Sequence, residues 1–218
     1  MLVLALDTAT PASTAALVEV TAGGLRGVAE RRTVDPRAHG EKLAPEVAAT
    51  LAEAGFRPAD LTAIVAGLGP GPFTGLRVGL ATAASMAQAL DIPTYGVCSL
   101  DGLGRAAGPG RVLVATDARR REVYYATYVD GVRTTGPEVA KPAEVTGQFE
   151  RVVGEGGLKY GDIFGVPVEE HLLYPPGAAL VALAAERIRE AAPSEPLTPL
   201  YLRRPDAVEP TARKHVLT

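Results

Sequence analysis

"GLGPGPFTGLRVGLATAASMAQAL", residues 67–90, carries an apolar run, "LTAIVAGL" (61–68), through alternating glycine and proline into a long alanine-rich stretch. The pattern predicts a buried strand over 61–68 and a helix over 74–90, the repeating unit of an α/β sheet. A glycine loop in that place commonly cradles phosphate on a helix N-terminus. Two standard cradles do not fit. A P-loop needs a lysine after its last glycine, and here Gly75 is followed by Leu76 and Arg77. The dinucleotide fingerprint is missed by one residue, since Gly69, Gly71 and Gly75 are spaced Gly-x-Gly-x-x-x-Gly. Gly75, Gly79, Ala83 and Ala87 recur every four residues and give the helix a flat stripe. Such a stripe either seats the helix on its own sheet or admits a helix of another subunit; both readings stand.

Upstream, residues 2–10, 13–20 and 25–34 read as strands, with "TAGG" (21–24) as a hairpin connection, so the chain opens as an antiparallel meander. Residues 39–54 place Leu43, Val47, Leu51 and Ala54 on one helical stripe, closed by Gly55. Pro45 predicts a kink there, or the helix's true first turn. Downstream come a strand over 93–99 and a short helix over 99–107. "AAGPGR" (106–111) is the clearest linker, dividing residues 1–107 from 108–218. Beyond it, "RVLVATDA" and "EVYYATYVDG" read as a strand pair turning at Arg119–Arg121. A mixed region, an alanine-rich helix over 177–191 and "TPLYLRRP" (198–205) follow, and residues 206–218 read as a loose tail.

Of 218 residues, 47% are hydrophobic, enough for one domain or two small lobes with true cores. A net charge of −3 gives no support for binding nucleic acid alone. The single cysteine excludes an internal disulfide and fits a reducing compartment. The apolar N-terminus lacks a basic flank and stops at Asp7, as a strand does, and no apolar run reaches the length of a membrane span. A cytoplasmic protein without membrane contact is expected.

Isolated candidates for chemistry are few. Cys98 ends an apolar strand with no histidine nearby, which favours a buried structural thiol. His39, His171 and His215 have no ligand spacing, and "HGEKL" (39–43) lacks the second histidine of a zinc-protease motif. Arg119, Arg120 and Arg121 read either as a solvated turn or as a phosphate contact. Tyr124, Tyr125 and Tyr128 read as packed strand residues.

Taken in order, "LALDTAT" (4–10), "AHGEKLAPEV" (38–47), "GLGPGPFTGLRVGLATA" (67–83), "DARRREVYYATY" (117–128) and "PLYLR" (199–203) resemble the bacterial TsaB (YeaZ) family over essentially the whole chain. That family takes part in making threonylcarbamoyladenosine in tRNA. The resemblance implies an α/β, two-lobed fold of the actin, sugar-kinase and Hsp70 ATPase type, each lobe βββαβα, with the second lobe reduced. It also implies a non-catalytic partner of the paralogue TsaD. The reaction transfers threonylcarbamoyl from its adenylate to the adenosine 3′ of the anticodon, in tRNAs reading codons that begin with A. A TsaE-like ATPase and tRNA would be met through the complex. No cofactor of its own is implied; ATP with Mg²⁺ and a metal belong to partner subunits.

In that superfamily the first hairpin turn faces nucleotide phosphate. Asp7, Thr8 and Thr10 stand there, with Arg119 and Glu122 as matching positions in the second lobe; the alternative is that the first three only satisfy turn backbone. "VGEGGLKYGD" (153–162) resembles a relic of an adenine-side glycine loop, without a helical pattern after it. TsaD carries two metal-binding histidines four apart where this chain has Ser99 and Leu103, neither of them a fit ligand. The expected interface with the paralogue is His39, Lys42, Leu43, Glu46 and Val47 of the first helix, with Phe73, Gly75, Leu76, Gly79 and Ala83 of the second. Alternatives are an autonomous actin-like ATPase or kinase using Asp7 and Arg119, or a homodimeric scaffold; a homodimer is also expected when the partner is absent.

Overall fold

A computed structural model describes residues 1–203 of the chain; the expected tail over 206–218, including His215, lies outside the described residues. Strand β1 (Leu2–Asp7) pairs antiparallel with β2 (Ala12–Thr21), which pairs with β3 (Gly24–Val34) across the "TAGG" turn. Helix α1 (His39–Ala54) returns the chain so that β4 (Ala63–Gly67) lies parallel to β1. Helix α2 (Phe73–Leu90) then returns it to β5 (Thr94–Val97), parallel to β4. The strand order is β3-β2-β1-β4-β5.

Side-chain alternation divides this sheet's residues between two cores, as the pleat requires. Leu4, Leu6, Leu17 and Ile64 face Leu43, Val47, Leu51, Leu80 and Ala83 of α1 and α2. Val3, Ala5, Ala16, Val18 and Val65 face the other way, against Leu180, Val181, Ala184 and Ile188 of the helix Gly177–Arg189.

After α3 (Ser99–Ala107) the motif recurs. β6 (Arg111–Asp117), β7 (Val123–Val129) and β8 (Val132–Ala140) form a meander, and β9 (Arg151–Val153) runs parallel to β6, giving the order β8-β7-β6-β9. The counterpart of α1 has shrunk to a 3₁₀ turn at Pro142–Glu144, so the second lobe is the reduced one. Helix α4 (Glu155–Phe164) follows β9 as α2 follows β4, and α5 (Gly177–Arg189) closes the described helices.

Three expectations change. First, "VGEGGLKYGD" enters a helix directly: Gly156 and Gly157 lie inside α4, where a Cβ would meet the Ala115 carbonyl and the Val152 side chain. Two glycines weaken the local helix signal, and packing on the sheet supplies what propensity lacks. Second, α1 runs through Pro45 unbroken; the proline is exposed, as is Glu41, whose carbonyl loses its helical donor. Third, the division at residue 107 does not follow the packing. α5 belongs to the second half in sequence yet covers the first sheet, and α3 packs between α5 and the second sheet. The segment after α5 also straps the lobes together. Leu200 N–H donates to the Leu68 carbonyl at 2.8 Å, and Arg203 donates to the Ala118 carbonyl at 2.8 Å.

Leu180, fully buried, is therefore a core residue of the first sheet. Leu180→Ala is expected to cost about 2–5 kcal/mol. A thermal melt should show a single transition moved down as a whole; selective loss of the second lobe, with the first sheet unaffected, would assign α5 elsewhere.

Candidate functional site

The β1–β2 turn, residues 8–11, forms the floor of a cleft between the lobes, and its side chains decide what that cleft can do. The Thr8 hydroxyl donates to the Gly75 carbonyl at 2.7 Å and accepts from the Gly79 N–H at 3.1 Å. Those two groups would bond each other in a regular helix, so Thr8 is inserted into the backbone ladder of α2. A Cβ on Gly79 would lie 2.3 Å from the Thr8 Oγ1, and one on Gly75 would lie 2.8 Å from the Thr8 carbonyl. A Cβ on Gly71 would lie 2.3 Å from the Ala9 carbonyl. The small-residue stripe is thus internal packing, and the glycine loop lets α2 close on the turn.

Asp7 has a similar task. It is buried; one carboxylate oxygen accepts the Ala9 N–H at 3.0 Å and the other accepts the Ser99 hydroxyl at 2.5 Å. Ser99 Oγ in turn accepts the Gly69 N–H at 3.1 Å, and the Ser99 N–H donates to the Gly69 carbonyl at 2.8 Å. Gly67 has to be glycine, since its Cβ would fall 1.8 Å from Asp7. Burial raises the Asp7 pKa to about 6, against the opposing pull of the Ser99 and Ala9 hydrogen bonds. Glu155, at the start of α4, is raised by burial to about 7, with the charges of Asp117 and Asp7 adding to it. These acids sense one another, but among the described residues no three ligating side chains converge to hold a metal ion.

Of the expected nucleotide contacts, Thr10 and Arg119 line the cleft, whereas Asp7 and Thr8 are consumed in the joint below it. Glu122 forms an ion pair with Arg203, which lines the cleft. Arg119, Arg120 and Arg121 all adopt φ between 50° and 62°. Three successive left-handed residues other than glycine cost roughly 1–2 kcal/mol each. This turn sets Arg119 on the second-lobe wall. Cys98 is buried and its thiol is pushed up to about 11, by burial and then by the Asp101 charge, so it is protonated at neutral pH. Tyr125 and Tyr128 donate their hydroxyls to Glu138 and Asp101 as packed strand residues.

Of the expected interface residues, Leu43, Val47, Gly75, Leu76, Gly79 and Ala83 are buried within the chain, and His39 is nearly so at 6% exposure. Lys42 and Phe73 are exposed, while Glu46 is half-buried and pairs with Arg31. Sequence spacing missed Ser99 as the link between Asp7 and the glycine loop, because the partners are 92 and 30 residues apart.

Two meander lobes, each with a strand returning parallel to its first and a cleft between them, define the two-lobed actin-like ATPase-type class. The comparisons place the chain within it. A family model, TsaD: tRNA N6-adenosine threonylcarbamoyltransferase, matches residues 33–184. The solved structure of YeaZ from Pseudomonas aeruginosa superposes with a TM-score of 0.76 at 30% identity, covering 92% of this chain and 99% of that one. The chain belongs to the TsaB/YeaZ family of tRNA threonylcarbamoyladenosine biosynthesis proteins. Escherichia coli TsaB, a tRNA threonylcarbamoyladenosine biosynthesis protein, is 39% identical over 132 residues, 59% of this chain and 55% of that protein. An uncharacterized protein of Mycobacterium tuberculosis is 51% identical over 94% of this chain and 93% of its own length. Among the described residues no helix is long and apolar enough to cross a membrane.

The joint makes two predictions. Gly79→Ala should lower stability by about 1–3 kcal/mol, and Thr8→Ala should remove most of that cost, since only the hydroxyl stands in close conflict. A double-mutant cycle by denaturant unfolding reads this as a coupling energy; purely additive losses would contradict the inserted hydroxyl. For Asp7, the folded pKa of about 6 lies above the ordinary aspartate value of 3.8. The folded state therefore holds the proton more tightly, and this group's favourable term is complete below pH 3.8 and lost as pH rises through 6. The gap corresponds to about 3 kcal/mol at neutral pH. Asp7→Asn should flatten that part of the stability–pH curve between pH 4 and 6, and an unchanged curve would contradict it.

Proposed function

We propose that this protein is the non-catalytic partner of a TsaD-type paralogue in threonylcarbamoyl transfer to tRNA, docking through the outward side of α1 and α2. Carrying this reading is α2 itself. Its eighteen residues hold a single charged side chain, Arg77, although Phe73, Ala81, Ala84, Ser85 and Ala89 are exposed. A helix solvated for its own sake normally carries several charges on that side, and an extended uncharged face is what a partner covers. Lys42, Ala44 and Ala48 of α1 lie exposed on the neighbouring helix. Phe73 stacks on Tyr201 with ring centroids 5.1 Å apart, and the Arg77 guanidinium lies 5.1 Å from the Phe73 ring, so the exposed aromatic is held in place. Leu43, Val47, Leu76, Gly79 and Ala83 fix the two helices from beneath. Two related helix pairs meeting face to face give a pseudo-twofold four-helix contact.

The non-catalytic part of the reading is supported by the use of Ser99 and Leu103. Ser99 is bound into the Asp7–Gly69 joint, and Leu103 is fully buried in the second-lobe core. ATP, Mg²⁺ and the metal then belong to the partner subunits, and tRNA and a TsaE-type ATPase act on the assembled complex. Left without its paralogue, the same face supports self-association at high concentration.

Ala81→Glu with Ala84→Glu tests the docking face. Both positions are exposed, so stability should stay within about 0.5 kcal/mol of the parent. Co-purification with the paralogue, and threonylcarbamoyladenosine formation in the reconstituted system, should both be lost. Undiminished co-purification would place docking elsewhere.

A further inference from the structure

The second sheet does not stop at β9. Gly165, in the left-handed conformation, ends α4, and the chain then runs extended beside β9. The Val152 N–H donates to the Pro167 carbonyl and the Glu169 N–H donates to the Val152 carbonyl, both at 2.9 Å. Backbone groups of successive strand residues point to opposite sides, so Pro167 and Glu169 face β9 while Val166 and Val168 face away from it. Among the described residues, the N–H and carbonyl groups of Val166 and Val168 have no hydrogen-bond partner. Pro167 takes nothing from this outer edge, because the N–H it lacks would point toward β9.

The other sheet edges are guarded. Beside β5, the Glu195 N–H donates to the Thr94 carbonyl and the Leu200 N–H to the Leu68 carbonyl, each at 2.8 Å. β3 carries Arg26, Arg31 and Arg32, and β8 is broken at Gly136–Pro137 by a register shift. Covering segments, cations and irregularities of this kind keep sheet edges from pairing. Among the described residues, none covers the edge at 166–170, and no cation lies along it.

A cavity of about 600 Å³ opens beside this edge, against the C-terminal half of α4. Val166 and Val168 turn their side chains toward the helix, and a Cβ on Gly161 would lie 2.8 Å from the Val168 side chain. Leu158, 49% exposed, and Pro167 add apolar wall. The charged groups of the lining are Lys159, Asp162 and Glu170. Lys159 is committed to Asp117 at 3.0 Å. Asp162 and Glu170 are exposed, and among the described residues neither is in an ion pair. An unpaired main-chain edge selects an extended peptide, and two free carboxylates on its rim select a basic one. A second copy of this chain would bring the same carboxylates against these.

We propose that the open edge at 166–170 binds an extended, basic segment of a partner protein as an added strand. Its backbone pairs with Val166 and Val168, its apolar side chains enter the groove beside α4, and its cations meet Asp162 and Glu170. This surface belongs to the second lobe and goes beyond the docking of a paralogue on α1 and α2.

The probe is a fluorescein-labelled heptapeptide, Lys-Thr-Val-Thr-Val-Thr-Lys with capped ends, titrated into the full chain by fluorescence anisotropy at constant ionic strength. Saturable binding is expected. Replacing both terminal lysines by glutamate should weaken it about fivefold or more, and N-methylating alternate amides should abolish it, since main-chain bonds carry strand addition. Asp162→Lys with Glu170→Lys, both exposed, should melt as the parent does and should reverse the preference, binding the glutamate peptide better than the lysine one. No saturable binding, equal binding of the N-methylated peptide, or an unchanged preference in the charge-reversed variant would overturn the proposal. So would a dimer in sedimentation that the peptide disperses, because it would assign the edge to a second copy.

Discussion

One hydroxyl governs the geometry of the first lobe. By entering the backbone ladder of α2 between Gly75 and Gly79, Thr8 fixes that helix to the β1–β2 turn with no side chain intervening. The neighbouring glycines follow from the same close approach, for any Cβ at 71, 75 or 79 would strike the turn. Asp7, one residue earlier, fixes the other end of the loop through Ser99 and Gly69. Turn, loop, α2 and the start of α3 therefore form one rigid joint, made of buried polar groups that are satisfied by one another.

This joint decides what the first hairpin of this ATPase-type fold can offer a ligand. A carboxylate at the first hairpin can serve phosphate only if it is reachable, and here it is buried, hydrogen-bonded twice and shifted toward protonation. What the rigid joint leaves outward is α2, whose only charged side chain is Arg77, beside α1, whose exposed side carries Glu41, Lys42 and Glu53. What it leaves toward the second lobe is a cleft that both lobes line. The two surfaces adjoin at Phe73, which is exposed and also lines the cleft, so the joint that aligns one also aligns the other.

The sequence made some of this legible and hid the rest for physical reasons. The meander, α1, the β4–α2 unit and the β6–β7 pair were readable because their apolar period is local and strong, and the ends of α1 and α3 matched the expected residues. The spacing of Gly75, Gly79 and Ala83 revealed a flat helix face but not what lies on it, since Thr8 is 67 and 71 residues away from its partners in α2. Helix α4 was obscured by its paired glycines, whose low propensity is overridden by packing on Ala115 and Val152. The placement of α5 against the first sheet is a docking choice between two apolar faces, which composition and a linker at 106–111 do not decide. The cleft depends on two helix starts meeting a turn from the second lobe, a convergence that exists only in three dimensions.

Amide hydrogen exchange, measured on the free protein and again on its complex with the TsaD-type paralogue, tests most directly whether the joint is internal and the outward face external. The Gly69 and Gly79 amides should already exchange slowly in the free protein, opening only with global unfolding, and the complex should leave them unchanged. New protection should appear at the exposed positions of α1 and α2, around residues 42–48 and 77–85. Rapid exchange at Gly79 in the free protein, slowed only by the partner, would contradict the account, because it would make the glycine stripe itself the docking surface.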